Sequence, residues 1–74
     1  MTKTRATINA HITGTVWKIE VKPGDAVEQG TVVAILESMK MEMPVEAPTG
    51  GTISEIRVVE GVSVNEGDVI AIIA

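Results

Sequence analysis

Apolar positions along this 74-residue chain are dominated by Val and Ile and alternate with polar residues, as in Ile19-Glu20-Val21 and Ile56-Arg57-Val58. A period of two puts every second side chain on one face, the signature of a half-buried strand, and β-branched residues suit that pleated surface. Helix is disfavoured throughout. Between the apolar runs stand turn signals: Pro23-Gly24-Asp25 and Glu28-Gln29-Gly30, then Glu60-Gly61 and Asn65-Glu66-Gly67-Asp68. The pattern predicts eight short strands, near 5–10, 14–22, 26–27, 32–37, 42–47, 51–59, 63–64 and 69–73.

The pattern is written twice. Residues 10–37 lie over residues 47–74 at an offset of 37 with no gap, matching Gly14/Gly51, Gly24/Gly61 and Gly30/Gly67. Apolar positions follow in register: Val16/Ile53, Ile19/Ile56, Val21/Val58, Val27/Val64, Val32/Val69, Ala34/Ala71 and Ile35/Ile72. Two related sheets, each with one apolar face, bury those faces by packing together. The expected fold is all-β: a flattened β-barrel or sandwich of two four-stranded antiparallel sheets with pseudo-two-fold symmetry, one domain over residues 1–74. Ile19, Val21, Ile35, Ile56, Val58 and Ile72 are the expected buried positions. The link between the copies, residues 38–41, becomes a tight hairpin at one end, with both termini at the other.

Composition narrows the function. A chain this short buries only about 60% of the surface it exposes when unfolded, so the core is thin. Cysteine is absent, which removes disulfides and thiolate metal sites and fits a reducing cytoplasm. The longest apolar stretches, Val32 to Leu36 and Val69 to Ala74, fall well short of the roughly 20 residues of a membrane-spanning helix. The start, Met1-Thr2-Lys3-Thr4-Arg5, lacks the apolar run of a secretory signal. Six basic residues, scattered along the chain, face ten acidic ones for a net charge of −4, and Trp17 is the one aromatic residue. That composition argues against phosphate-backbone binding and base stacking. Neither nucleic acid nor membrane is an expected partner.

The linking segment Glu37-Ser38-Met39-Lys40-Met41-Glu42-Met43-Pro44 holds three of the four methionines. Turn tips are normally polar, so Met39 and Met41 either fill a gap at the end of a thin core or meet a partner, and the two readings weigh equally. Met43, back on the strand, reads as core. A lysine at a turn is ordinarily a solvated charge. A hairpin tip held by strands on both sides, however, makes Lys40 a rigid post from which an attached group could reach outward.

Glu37-Ser38-Met39-Lys40-Met41-Glu42 resembles the E-(A/S)-M-K-M motif of biotinyl domains, the biotin carboxyl carrier modules of the biotin/lipoyl attachment superfamily. The resemblance covers almost the whole chain: Glu46-Ala47-Pro48-Thr49-Gly50-Gly51-Thr52-Ile53 is similar to that family's APxxGxV stretch, and residues 58–64 with Gly67-Asp68-Val69-Ile70 to its ending. The chain departs at Ala10-His11-Ile12-Thr13-Gly14, where many members carry a second Ala-Pro run, and the gapless repeat leaves no room for an inserted thumb. It reads as free-standing or as a fragment of a longer enzyme.

The resemblance implies that Lys40 carries biotin covalently, with Glu37, Ser38, Met39, Met41 and Glu42 forming the motif that partners recognise. The implied partners are biotin protein ligase, which offers an activated biotinyl group to the amine, then biotin carboxylase and carboxyltransferase. Glu37, Glu42 and Glu46 would form an acidic rim that steers a basic partner surface. Two alternatives stand beside this: a lipoyl carrier of the same fold, whose usual D-K-A neighbourhood is missing here, and an unmodified docking module. Catalysis by the chain itself is not expected. His11 is the only histidine, Ser38 has no evident base, and a turn tip offers no desolvating pocket for a Schiff-base lysine. Glu66 and Asp68 do not supply the six to eight oxygens that calcium takes and read as turn residues. Trp17, matched by Ser54 in the other copy, is expected to be half exposed.

Overall fold

The structure, a computed structural model, describes residues 6–74; the expected strand residue at position 5 lies outside them. Eight strands follow in order: β1 (Ala6–Asn9), β2 (Gly14–Ile19), β3 (Ala26–Val27), β4 (Val32–Ser38), β5 (Met41–Glu46), β6 (Gly51–Ile56), β7 (Ser63–Val64) and β8 (Val69–Ile73). They form two antiparallel four-stranded sheets, ordered β1-β8-β6-β3 and β5-β4-β2-β7. Moving four strands along the chain converts one order into the other, so the written repeat is a repeat of topology. Each sheet takes two strands from each copy, which interlocks the copies.

β2 and β6 end at Ile19 and Ile56, earlier than the expected 22 and 59, because there the chain leaves one sheet for the other. The Glu20 and Arg57 amides still donate to the Val33 and Ile70 carbonyls, each at 2.8 Å. Four residues on, the Gly24 and Gly61 amides donate across to the Ile53 and Val16 carbonyls, each at 2.7 Å. These turns need a left-handed residue, and φ is +97° at Gly24 and +94° at Gly61.

Fourteen apolar side chains are buried, and they are seven pairs at the repeat offset: Ile8/Val45, Ala10/Ala47, Val16/Ile53, Val27/Val64, Val33/Ile70, Ala34/Ala71 and Leu36/Ile73. The expected six, Ile19, Val21, Ile35, Ile56, Val58 and Ile72, are only half-buried. Strand phase and the strand ends account for the difference. Val16 pairs with Leu36 but Lys18 with Ile35, so Trp17 is an extra residue, and a matching irregularity lies between Ile53 and Glu55. An extra residue reverses the two-residue phase of its own strand, and on β4 and β8 the buried neighbours Ala34 and Leu36, and Ala71 and Ile73, leave Ile35 and Ile72 on the outer face. Ile19, Val21, Ile56 and Val58 pack against the core only at its margin, where the strands end.

Ala6 pairs with Ile73, the repeat counterpart of Met43 pairing with Leu36. The start of β1 and the end of β8 therefore stand, in their sheet, where the β4–β5 hairpin stands in the other. β5 is an edge strand. A two-residue loop makes Ser38–Met41 a hydrogen-bonded pair, and alternation then leaves Pro44 at a position directed away from β4. Its missing N–H breaks no ladder bond and blunts the open edge.

β2 approaches the hairpin base closely at Gly14. A Cβ there would lie 2.7 Å from the Glu37 carbonyl oxygen and 3.3 Å from the carbonyl carbon, backbone atoms with no freedom to swing aside. Gly14→Ala should lower stability by about 1–3 kcal/mol, the usual cost of overpacking, seen as a lower urea midpoint at unchanged slope. An unchanged midpoint would contradict this close approach.

Candidate functional site: the Met39–Lys40 turn

β4 and β5 pair Leu36 with Met43, Glu37 with Glu42 and Ser38 with Met41. Only Met39 and Lys40 remain to reverse the chain. Their φ angles are +53° and +65°, both left-handed, as a two-residue type I′ hairpin turn requires. Such turns favour Asn-Gly, because an ordinary L residue held left-handed costs about 1–2 kcal/mol. The two strands impose the conformation. A loop this short has no slack, so it fixes the origin of the Lys40 side chain while leaving the four-carbon stem free.

Exposure rules out the core-filling reading of the tip methionines. Met39 is 92% exposed and Met41 61%, so neither fills the core. Met43, expected in the core, is half-buried, because it lies near the hairpin end of β5, whereas Val45 two residues further in is buried. Lys40, Glu37 and Glu42 are exposed and Ser38 half-buried. Glu37 and Glu42 sit directly opposite each other, a destabilising arrangement for like charges. Glu46 follows on the same face of β5 and is exposed. The hairpin thus brings Glu37, Ser38, Met39, Lys40, Met41 and Glu42 together, as the sequence motif suggested.

The other candidates resolve as structural. The Asn65 amide donates to Asp68 Oδ2 at 2.8 Å and the Glu66 amide to Thr13 Oγ1 at 3.3 Å, so Asp68 and the segment around Glu66 build a turn. Among the described residues no cluster of three or more His, Asp or Glu is placed to hold a metal ion. His11 is exposed. Trp17 is 49% exposed, as expected. A shallow groove lined by Arg57, Val58, Val59, Val62 and Asp68 contains neither Lys40 nor any motif residue. Lys40 thus presents an exposed amine on a short left-handed turn.

The left-handed pair at the tip was not legible in advance, since Met-Lys carries no turn signal. The facing glutamates were within reach, because counting outward from a two-residue loop pairs 37 with 42.

A family described as "Biotin-requiring enzyme" matches residues 3–73. The "Biotin/lipoyl attachment protein" of Bacillus subtilis (strain 168) is 54% identical over 41 residues, 55% of this chain and 56% of that protein. The "Biotinylated protein TB7.3" of Mycobacterium tuberculosis is 48% identical over 40 residues, 54% of this chain and 56% of its own length. The matched stretch thus spans little more than half of either relative. Among solved structures, the urea carboxylase of Kluyveromyces lactis superposes with a TM-score of 0.91 at 35% identity, covering all of this chain and 6% of the carboxylase.

If the tip holds strain that folding does not need, the double variant Met39→Asn with Lys40→Gly should be more stable than the natural chain. The expected gain is about 1–2 kcal/mol, read as a higher melting temperature by circular dichroism. A lower melting temperature would mean that Met39 and Lys40 contribute to folding through contacts absent here.

Proposed function

The chain belongs to the family of biotin-requiring enzymes, and on that premise we propose that it is a biotin carboxyl carrier module whose attachment residue is Lys40. The observation that carries this reading is the exposed Lys40 on a two-residue left-handed turn, flanked by Met39 and Met41 at 92% and 61% exposure. Apolar side chains standing in water beside a lysine give an enzyme something to read besides the amine. Relatives and a structural neighbour named for biotin attachment or carboxylation support the same cofactor.

In this mechanism the domain is a substrate and then a carrier, and it catalyses nothing itself. Biotin protein ligase uses ATP to form biotinyl-adenylate. The Lys40 Nζ, once deprotonated with the ligase's help, attacks the acyl carbon; an amide bond forms, the acyl–phosphate bond breaks and AMP leaves. The rigid turn keeps the backbone from folding over the amine, and Glu37 and Glu42 steer the tip toward a basic surface. Biotin, once attached, supplies a ring nitrogen able to accept and release a carboxyl group. The chain's role is to move its tip between a biotin carboxylase and a carboxyltransferase, with tethering in place of free diffusion. The cytoplasm, where ATP serves the ligase, is the proposed compartment. Lipoate is the second reading, favoured by one observation: the Bacillus subtilis relative's name covers both groups.

Lys3, the repeat counterpart of Lys40, lies outside the described residues and serves as an internal control. After co-expression with biotin protein ligase, peptide mass spectrometry and streptavidin blotting should find biotin on Lys40 in the natural chain and in Lys3→Arg. Lys40→Arg should keep the fold and charge and take none, since a guanidinium is no nucleophile at cellular pH. Biotin on Lys3, or lipoate but never biotin on Lys40, would overturn the assignment.

A further inference from the structure

The outer face of the β5-β4-β2 sheet carries an apolar stripe beside the tip. Pro44 lies opposite Ile35, and Ile35 opposite Lys18. Trp17 is the extra residue of the bulge at that point, and bulges re-aim side chains. Val16 is buried, Trp17 and Lys18 are both exposed, and Ile19 is half-buried, which puts both bulge residues on the outer face. Pro44, Ile35 and Trp17 therefore cross the sheet as one band. Toward the tip, the next outer-face positions are Glu42, Glu37 and Thr15, also aligned across the three strands. From Ile35 to Met39 is four residues, about 13 Å of strand.

The repeat shows that the architecture forms without Trp17 and Pro44 at their positions. All fourteen core residues occur as offset pairs, so what the architecture needs is present twice. Ile35 recurs as Ile72, but the rest of this face is present once: Trp17 is matched by Ser54, Pro44 by Thr7, Glu37 by Ala74 and Glu42 by Arg5. A tryptophan held 49% exposed, where the same bulge in the other copy manages with serine, is surface kept for contact. Among the described residues the one ion pair is Arg57 with Glu55, at 3.7 Å, so neither Glu37 nor Glu42 has its charge met within the described part of the domain.

We propose that this face docks the enzyme that acylates Lys40. Trp17 enters an apolar depression on that enzyme, and Glu37 and Glu42 meet basic side chains at its rim. The inference rests on the carrier reading and adds to it: Lys40 and its methionines are what the enzyme reacts with, and the β5-β4-β2 face is how it holds the domain.

The test is steady-state ligation of the unmodified domain by a purified biotin protein ligase, with biotin and ATP saturating and the domain varied. Trp17→Ser, which installs the residue of the other copy, should raise the KM for the domain roughly tenfold or more, with kcat little changed. Trp17→Phe should recover most of the loss. Glu37→Gln with Glu42→Gln should raise KM at low salt, and the difference should shrink as salt screens the rim. Circular dichroism checks that each variant keeps its β structure. A natural chain that takes no biotin overturns both the carrier reading and this one. A natural chain that is biotinylated while KM is indifferent to every variant overturns the docking face alone. So does sedimentation showing that Trp17 instead holds two copies of the domain together.

Discussion

Pairing Ser38 with Met41 leaves two residues to reverse the chain, and that constraint governs what this molecule presents to its surroundings. With two residues the backbone reverses through left-handed positions that suit the twist of the flanking strands, and here it does so with Met39 at +53° and Lys40 at +65°. Neither residue is chosen for the turn. The conformational cost, about 1–2 kcal/mol for each, is met by the ladder below: β4 is sheathed by β5 on one side and β2 on the other, and Gly14 lets β2 close on the Glu37 backbone. The lysine then stands at the tip of a stiff support, with its freedom confined to its own side chain.

Duplication provides the support and asymmetry provides the chemistry. A thin core of seven offset pairs locks two interleaved sheets, and the same turns, bulges and crossing hydrogen bonds recur in each half. Against that background the positions that occur once stand out: the Met-Lys-Met tip, the facing glutamates and Trp17. Several of them work against stability. Left-handed non-glycine residues, like charges face to face and large apolar side chains in water are features a sequence selected for folding alone would shed. Their concentration at one end of one sheet is the physical ground for reading that end as the working part.

Much of this was legible in the sequence because Val and Ile alternation, glycine turns and a gapless repeat all point to one architecture. The eight strands and the position of the hairpin followed from those signals. Burial did not follow, because the all-apolar runs of β4 and β8 do not say which alternate residues face inward, and it is Ala34, Leu36, Ala71 and Ile73 that do, leaving Ile35 and Ile72 outside, while the residues inserted at Trp17 and Ser54 break the phase of β2 and β6. Nothing in a side-chain pattern announces a bulge that carries no glycine. The conformation of the tip was hidden for the same reason: Met39 and Lys40 take their φ values from strand register, not from local preference. The outer band of Pro44, Ile35 and Trp17 needed the register as well, since its members lie 9 and 18 residues apart in the chain.

If Lys40 is the attachment site proposed above, the two-residue turn, and not merely an accessible lysine, makes it one. Inserting one glycine between Met39 and Lys40 keeps every motif side chain but adds slack to the loop. The direct measurement is the rate at which biotin protein ligase labels the natural domain and the insertion variant, with the modified residue identified by peptide mass spectrometry. A single biotin on Lys40 of the natural chain is expected, with labelling slowed at least tenfold in a variant that retains its β circular dichroism, the cost expected when a reacting group loses its fixed position. Equal rates for the two proteins, or label on a different amine, would contradict it.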